Sequence, residues 1–133
     1  MEYKQKFGEL YKDAKDKFNI QQAPKLHLRK DKKNAEQVFG RTAHYNPEDK
    51  TIVIFITNRH PKDILRSFCH ELIHHVQNER GDLEGGDASS PTYAQDDDHM
   101  RKMEKEAYLE GNLLLRDHED QFKNETKTGI KNK

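Results

Sequence analysis

Residues 61–81 read PKDILRSFCHELIHHVQNERG, and this stretch largely decides how the rest of the chain is interpreted. Its apolar residues come in pairs four positions apart, which is the pattern of an amphipathic α-helix. They are Ile64, Leu65, Phe68, Cys69, Leu72, Ile73 and Val76. Pro61 suits the first helical turn, and Gly81 suits a helix end. The stretch therefore predicts one long helix with one face in the core.

At the edge of that apolar face lie His70, Glu71 and His74, which form an H-E-x-x-H sequence. Two histidines four apart on a helix project from the same face, so both can bind one tetrahedral Zn²⁺. A carboxylate directly after the first histidine can reach a water held by the metal and act as a general base. We therefore expect Zn²⁺ on His70 and His74, with Glu71 as the catalytic base.

The composition limits the remaining possibilities. A chain of 133 residues fits one domain, and 36% charged against 32% hydrophobic residues implies a small core. We find no apolar run long enough for a membrane span and no signal-like N-terminus. The single cysteine, Cys69, excludes an intramolecular disulfide and is compatible with a reducing compartment. We expect a cytoplasmic protein without a membrane partner, and zero net charge gives no electrostatic argument for a nucleic-acid partner.

The other segments predict an α+β domain. The expected elements are a helix over 2–19, strands over 25–30, 38–45 and 50–57, the long helix, a loop, and a last helix over 98–118. Asn46-Pro47-Glu48-Asp49 is a turn signal, so the second and third strands should form a hairpin. We expect strand 50–57 to form the rim of the cleft, where an extended substrate adds as an antiparallel strand. The domain should cover 1–118, with 119–133 a polar, flexible tail.

A catalytic zinc site needs a third protein ligand. The continuation H-E-x-x-H-x-x-G-x-x-H fails, because Gln77 and Arg80 stand where it requires glycine and histidine. The last helix offers Glu106 and Glu110, which are four residues apart and share a face that also carries apolar residues. Coordination would explain carboxylates on an inward face, since burying an unpaired charge is costly. His99 is the alternative ligand.

Three segments of the chain resemble the gluzincin metallopeptidases, in particular their minimal single-domain members. These are KTIVIFIT at 50–57, HELIHHVQ at 70–77 and the glutamate-alanine step in EKEAYLEG at 104–111. The sequence also looks like small H-E-x-x-H peptidases found beside bacterial and phage regulators. The resemblance covers about residues 38–116 and implies a zincin-like fold with a peptide or protein substrate.

Matched by motif, the resemblance implies that Zn²⁺ is held by His70, His74 and Glu106, the last of which precedes an alanine. It implies that Glu71 is the general base, and that Glu110 holds a ligand histidine. A tyrosine or histidine of this family stabilises the oxyanion. No motif fixes which residue that is here; the candidates are Tyr93, His99 and Tyr108.

Two other functions remain open at the level of sequence. With His99 as third ligand, the chain would resemble the SprT-like metalloproteases, some of which act at DNA, although the acidic run 96–98 beside it would repel phosphates. The chain could also be a non-catalytic binding module that zinc merely stabilises. Glu71 argues against the module, because a structural site has no use for a carboxylate at that position.

Overall fold

The computed structural model describes residues 3–36, 42–83 and 98–131, and it has the predicted α+β architecture. Within these ranges the elements are α1 (Tyr3–Phe18), β1 (Lys25–Arg29), α2 (Lys32–Glu36), β2 (Ala43–Asn46), β3 (Thr51–Phe55), α3 (Pro61–Glu79) and α4 (Asp98–Lys131). The short helix α2 was not predicted. Most of the predicted loop before α4 lies outside the described residues.

The three strands form one mixed sheet in the order β1-β3-β2. β3 pairs in parallel with β1 and antiparallel with β2, so the predicted hairpin of β2 and β3 is confirmed. The β-branched residues of β3 suit its central place, because a strand between two neighbours has both edges paired and is buried. β2 is therefore an edge strand of the described sheet.

The apolar face of α3 is buried as the sequence predicted, and it forms the centre of the core with α1, β3 and α4. α3 begins at Pro61, where the ring of the preceding His60 accepts a hydrogen bond from the backbone N–H of Lys62 at 3.1 Å. It ends before Gly81, which has a φ of 83° and so occupies the left-handed region that favours glycine. Cys69 is fully buried in this core, as expected for a packing residue.

α4 continues to Lys131, beyond its predicted end near residue 118. No helix among the described residues is long and apolar enough to cross a bilayer. α4 lies close to α3 at Gly111: a Cβ added there would lie 3.1 Å from the backbone N and 3.2 Å from the Cα of His70. The absent side chain of Gly111 thus allows the last helix to lie directly against the histidine-bearing turn.

We predict that Gly111→Ala lowers stability, because the added methyl group meets helix backbone, which cannot move aside as a flexible side chain could. Overpacking of this kind costs about 1–3 kcal/mol, partly offset by the better helix propensity of alanine. Gly8→Ala is the matched control, since Gly8 is an exposed glycine of α1 with nothing within 4 Å of an added Cβ. Urea unfolding should show a lower midpoint for Gly111→Ala and an equal or higher one for Gly8→Ala. Equal midpoints for the two variants would refute the close-approach argument.

Candidate metal centre and cleft

Three of the predicted site residues, His70, Glu71 and His74, come together on α3. One ligand atom from each lies within 4.8 Å of the other two, so the group could hold a metal ion. The two imidazole rings meet edge to face, with 4.8 Å between their centroids. His74 and Glu71 are buried, and His70 is partly exposed. This geometry follows from helical periodicity, as the sequence predicted.

A fourth residue, Glu104 on α4, faces both histidines. Its Oε2 lies 3.3 Å from Nε2 of His70, and its Oε1 lies 3.0 Å from Nε2 of His74. Hydrogen bonds from His70 and His74 hold the pKa of Glu104 well below its usual range. The structure thus brings a carboxylate to the same ring nitrogen of both histidines, but this carboxylate is not the predicted one.

The predicted third ligand, Glu106, lies against other partners. Its carboxylate accepts hydrogen bonds from the guanidinium of Arg80 and, at 2.9 Å, from the side-chain amide of Gln77. The bond from Arg80 lowers the pKa of Glu106. Residues two apart on a helix point about 200° apart, so Glu104 and Glu106 cannot both face α3 in the same way. The structure therefore separates Glu106 from the histidines and puts Glu104 beside them.

Sequence reasoning missed Glu104, although one signal could have identified it. Glu104, Ala107 and Gly111 are spaced three and four residues apart, so they share a helix face. Gly111 lies against the backbone of α3, and Ala107 is fully buried. Glu104 lies on the same helix face as these two small residues and therefore faces α3. Glu106, which directly precedes Ala107, points to one side of that face.

Gln77 connects Glu106 to the site indirectly. Its side-chain amide nitrogen donates to the carbonyl of Met103 at 2.8 Å and to Glu106. Its oxygen therefore faces Nδ1 of His74, 2.9 Å away, and accepts a hydrogen bond from it. With Nδ1 protonated, Nε2 of a neutral His74 presents its lone pair toward Glu104. An outer partner of this kind fixes the tautomer and orientation of a ligand histidine.

The donor set fits Zn²⁺. Imidazole nitrogens and carboxylate oxygens are common zinc ligands, and Glu104 offers one oxygen to each ring, at 3.3 Å from Nε2 of His70 and 3.0 Å from Nε2 of His74. If no cation lies between them, Nε2 must carry a proton, because its lone pair would otherwise face the negatively charged carboxylate. Accordingly, burial lowers the pKa of His74, but hydrogen bonds with Glu104 and Gln77 outweigh it and the pKa is raised. A bound dication would take the place of that proton.

Glu71 is the remaining carboxylate of the group, and only 7% of its surface is exposed. Burial raises its pKa, while His74 and His70 lower it and Glu104 raises it further, so the pKa is raised overall. A carboxylate whose pKa moves toward neutrality can both accept and return a proton at physiological pH.

The group lines a cleft of about 570 Å³ between β2, α3 and α4. The prediction that strand 50–57 forms the rim is wrong: β3 is central, and the edge strand β2 lines the cleft instead. Opposite β2, Tyr108 of α4 lies over His70 with 4.4 Å between ring centroids, and 63% of its surface is exposed. Tyr108 is thus the one oxyanion candidate that the described structure puts in the cleft.

The other candidates from the sequence lie elsewhere. The ring of His99 donates from Nε2 to the carbonyl of Asp82 at 2.6 Å and does not line the cleft. Glu110 forms an ion pair with Lys17 of α1 at 3.3 Å, so it does not hold a ligand histidine. Tyr93 lies outside the described residues.

His75, which follows the second site histidine, is completely buried. Its Nε2 donates to the carbonyl of Gln22 at 2.6 Å, and its Nδ1 accepts from the hydroxyl of Tyr45 at 2.7 Å. Asn78 also donates to the Tyr45 hydroxyl, at 3.0 Å. These bonds fasten β2 to α3 beside the site, so His75 positions the cleft wall rather than a metal.

No protein-family model matches the chain, and comparisons with curated proteins and with solved structures gave no match either. What the structure establishes is a cluster of His70, Glu71 and His74 that could hold a metal ion, within an α+β domain. The identity of the metal and the reaction must be inferred from the donor atoms and from the cleft around them.

We predict that Glu104→Gln weakens zinc binding far more than Glu106→Gln. Replacing Glu104 removes an anionic donor that faces both histidines, whereas replacing Glu106 changes only a partner of Gln77. Loss of a residue that hydrogen-bonds to a metal ligand typically lowers metal affinity 10- to 100-fold. Because Glu106 contacts only such a residue, Gln77, Glu106→Gln should lower zinc affinity about 10-fold or less. Glu104→Gln should lower it by well over 10-fold. Competition titration with a zinc chelator measures both. The reverse order would restore Glu106 as the third ligand.

Proposed function

We propose that the chain is a zinc-dependent metallopeptidase of the gluzincin type, with a zincin-like arrangement of its sheet and helices. In this proposal Zn²⁺ is held by His70, His74 and Glu104, and Glu104 replaces Glu106 of the sequence-based ligand set. The observation that carries the proposal is the carboxylate of Glu104 facing Nε2 of both histidines. Two imidazoles and one carboxylate leave a fourth position open, as catalytic zinc sites require.

Zinc supplies a Lewis acid, which polarises a peptide carbonyl and makes a water molecule acidic near neutral pH. Glu71 takes the proton of the attacking water on its carboxylate and delivers it to the amide nitrogen as the carbon–nitrogen bond breaks. Its burial supports this role, because a carboxylate out of bulk water holds a proton more readily. Gln77 keeps His74 in the tautomer that the site needs.

The edge strand β2 is the proposed binding site for the substrate backbone. Thr42 accepts a hydrogen bond from Phe55 of β3 at 3.0 Å. Pairing alternates along an antiparallel ladder, so His44 pairs with β3, while the backbone groups of Ala43 and Tyr45 turn to the opposite edge. Among the described residues no strand pairs with that edge. An extended peptide can add there as a further antiparallel strand beside Glu71.

The alternatives receive less support from the geometry. The SprT-like proposal needs His99 at the metal, but the ring of His99 is hydrogen-bonded to the carbonyl of Asp82 and does not line the cleft. A zinc-stabilised binding module needs neither a buried Glu71 nor a cleft next to the metal-binding side chains. A cytoplasmic location remains part of the proposal, since a buried free thiol such as Cys69 suits a reducing compartment.

We predict that Glu71→Gln retains zinc and thermal stability while losing peptide hydrolysis. Glutamine fills the same buried volume but cannot take a proton, and a general base contributes typically 10²- to 10⁴-fold to rate. The measurement is cleavage of a mixed peptide library at matched zinc occupancy. Glu48→Gln is the control, because Glu48 is an exposed carboxylate in the turn between β2 and β3 and does not line the cleft.

Three outcomes would be informative. Loss of cleavage in Glu71→Gln alone supports the enzyme. Equal cleavage by the wild type and Glu71→Gln would mean that the base lies elsewhere. A zinc-loaded wild type that cleaves no peptide would favour the non-catalytic binding module.

A further inference from the structure

We propose that Arg66 makes the cleft selective for a carboxylate on the C-terminal side of the bond that is cleaved. The proposal rests on the function proposed above and adds a substrate class to it. It depends on three features of the structure: the direction of β2 along α3, the different chemistry of the two ends of the cleft, and the position of Arg66.

The direction of β2 is fixed by hydrogen bonds at both of its ends. The guanidinium of Arg59 donates to the carbonyl of Thr42 at 3.0 Å and to the hydroxyl of Ser67 at 2.8 Å. The side chain of Asn78 donates to the carbonyl of Pro47 at 3.0 Å. β2 therefore begins beside Ser67 and ends beside Asn78, so it runs along the cleft in the same direction as α3.

A substrate strand antiparallel to β2 then has a defined orientation. Its N-terminal part lies at the Pro47 end, and its C-terminal part lies at the Ser67 end. His70 and His74 lie between these ends, so the bond that is cleaved lies there too. Residues of the cleft between His70 and the start of α3 therefore meet the part of the substrate that follows the cleaved bond.

The two ends of the cleft differ in chemistry. The N-terminal part of the substrate meets the apolar side chains of Pro47, Leu83 and Met100. The C-terminal part meets hydrogen-bond donors, namely Arg66 and Ser67 of α3 together with Asn112 of α4. Asn112 belongs to this end because the preceding residue of α4 lies against the backbone of His70. Within the described lining, Arg66 is the sole arginine or lysine.

Arg66 lies one turn before His70 on the same face of α3, about 6 Å along the helix axis. Its Nη1 pairs with Asp63 at 2.9 Å, and both side chains are about half exposed, 49% and 55%. An exposed pair of this kind is weak. A guanidinium has five donors in a planar fork, so it can bind a second carboxylate through the donors that Asp63 does not use.

Two sources of carboxylate fit this position. One is an aspartate or glutamate side chain shortly after the cleaved bond, and the other is the free C-terminus of a short peptide. The guanidinium recognises the same group in both, so the test contains one arm for each source.

The first arm maps cleavage sites in a peptide library by mass spectrometry. We expect aspartate and glutamate, or free C-termini, to be enriched about 1.5- to fivefold in the first residues after the cleaved bond, as for an exposed charge pair. Arg66→Gln should abolish the enrichment, and Arg66→Glu should replace it by enrichment of lysine and arginine. Lys62→Gln is the matched control: Lys62 lies one turn earlier on α3, outside the cleft lining, and pairs with Glu119.

The second arm measures binding without turnover, with the zinc-loaded full chain carrying Glu71→Gln. Fluorescent alanine-rich peptides carry glutamate or glutamine at one position in turn, and each is made with a free or amidated C-terminus. At one position glutamate should bind about 1.5- to fivefold more tightly than glutamine, or the free acid more tightly than the amide. Adding Arg66→Gln should remove the difference, and adding Lys62→Gln should not.

These results separate the selectivity from the reaction. Cleavage without acidic enrichment, or enrichment that survives Arg66→Glu, overturns the role of Arg66 and leaves the peptidase intact. If no peptide is cleaved but the binding preference depends on Arg66, the peptidase proposal fails and the carboxylate site stands. Binding that is the same for all peptides overturns the inference.

Discussion

The carboxylate of Glu104 between the two Nε2 atoms is the interaction on which the rest of the site depends. It joins α3 and α4 beside the cleft, and it lies 3.3 Å from His70 and 3.0 Å from His74. A carboxylate this close to two imidazoles is stable only with a cation or with protons between the partners. The packing of two helices and the capacity for metal thus depend on the same few atoms.

The rotation and distance of α4 that bring Glu104 to this position are set by small residues. Gly111 lets the backbone of α4 approach the backbone of His70, and Ala107 is buried on the same face. A side chain at position 111 would meet the backbone of His70, so the position of α4 that brings Glu104 to the histidines depends on this glycine. Met103, on the neighbouring part of the helix, contributes its carbonyl to Gln77 and so connects α4 to His74 from the other side.

What could be predicted from the sequence is what local periodicity determines. The spacing within residues 61–81 predicted the helix, its buried face and the grouping of His70, Glu71 and His74, because an α-helix fixes the relative directions of its own side chains. Local periodicity did not determine whether Glu104 or Glu106 faces the histidines. This depends on how one helix is rotated against another, which is set by packing across residues distant in the sequence.

The strand that borders the cleft could not be predicted for a related reason. We predicted that residues 50–57 form the rim, and this stretch is also the most β-prone part of the chain. The same property favours a central position, where both edges of the strand are paired and its side chains are buried. β1 pairs with β3 in parallel across the intervening chain, and this non-local pairing leaves β2 at the edge.

The cleft owes its shape to the fact that both of its walls are attached to α3. α4 is attached through Glu104, Gln77 and the close approach at Gly111. β2 is attached at one end through Arg59 and near the other through the Tyr45 hydroxyl and buried His75. α3 carries His70, His74 and Glu71, and it also holds both walls of the cleft. It therefore keeps fixed the distances between the two histidines, the catalytic carboxylate and the substrate backbone. Such positioning is a large part of what a catalytic site must supply, and here most of it comes from hydrogen bonds to one helix.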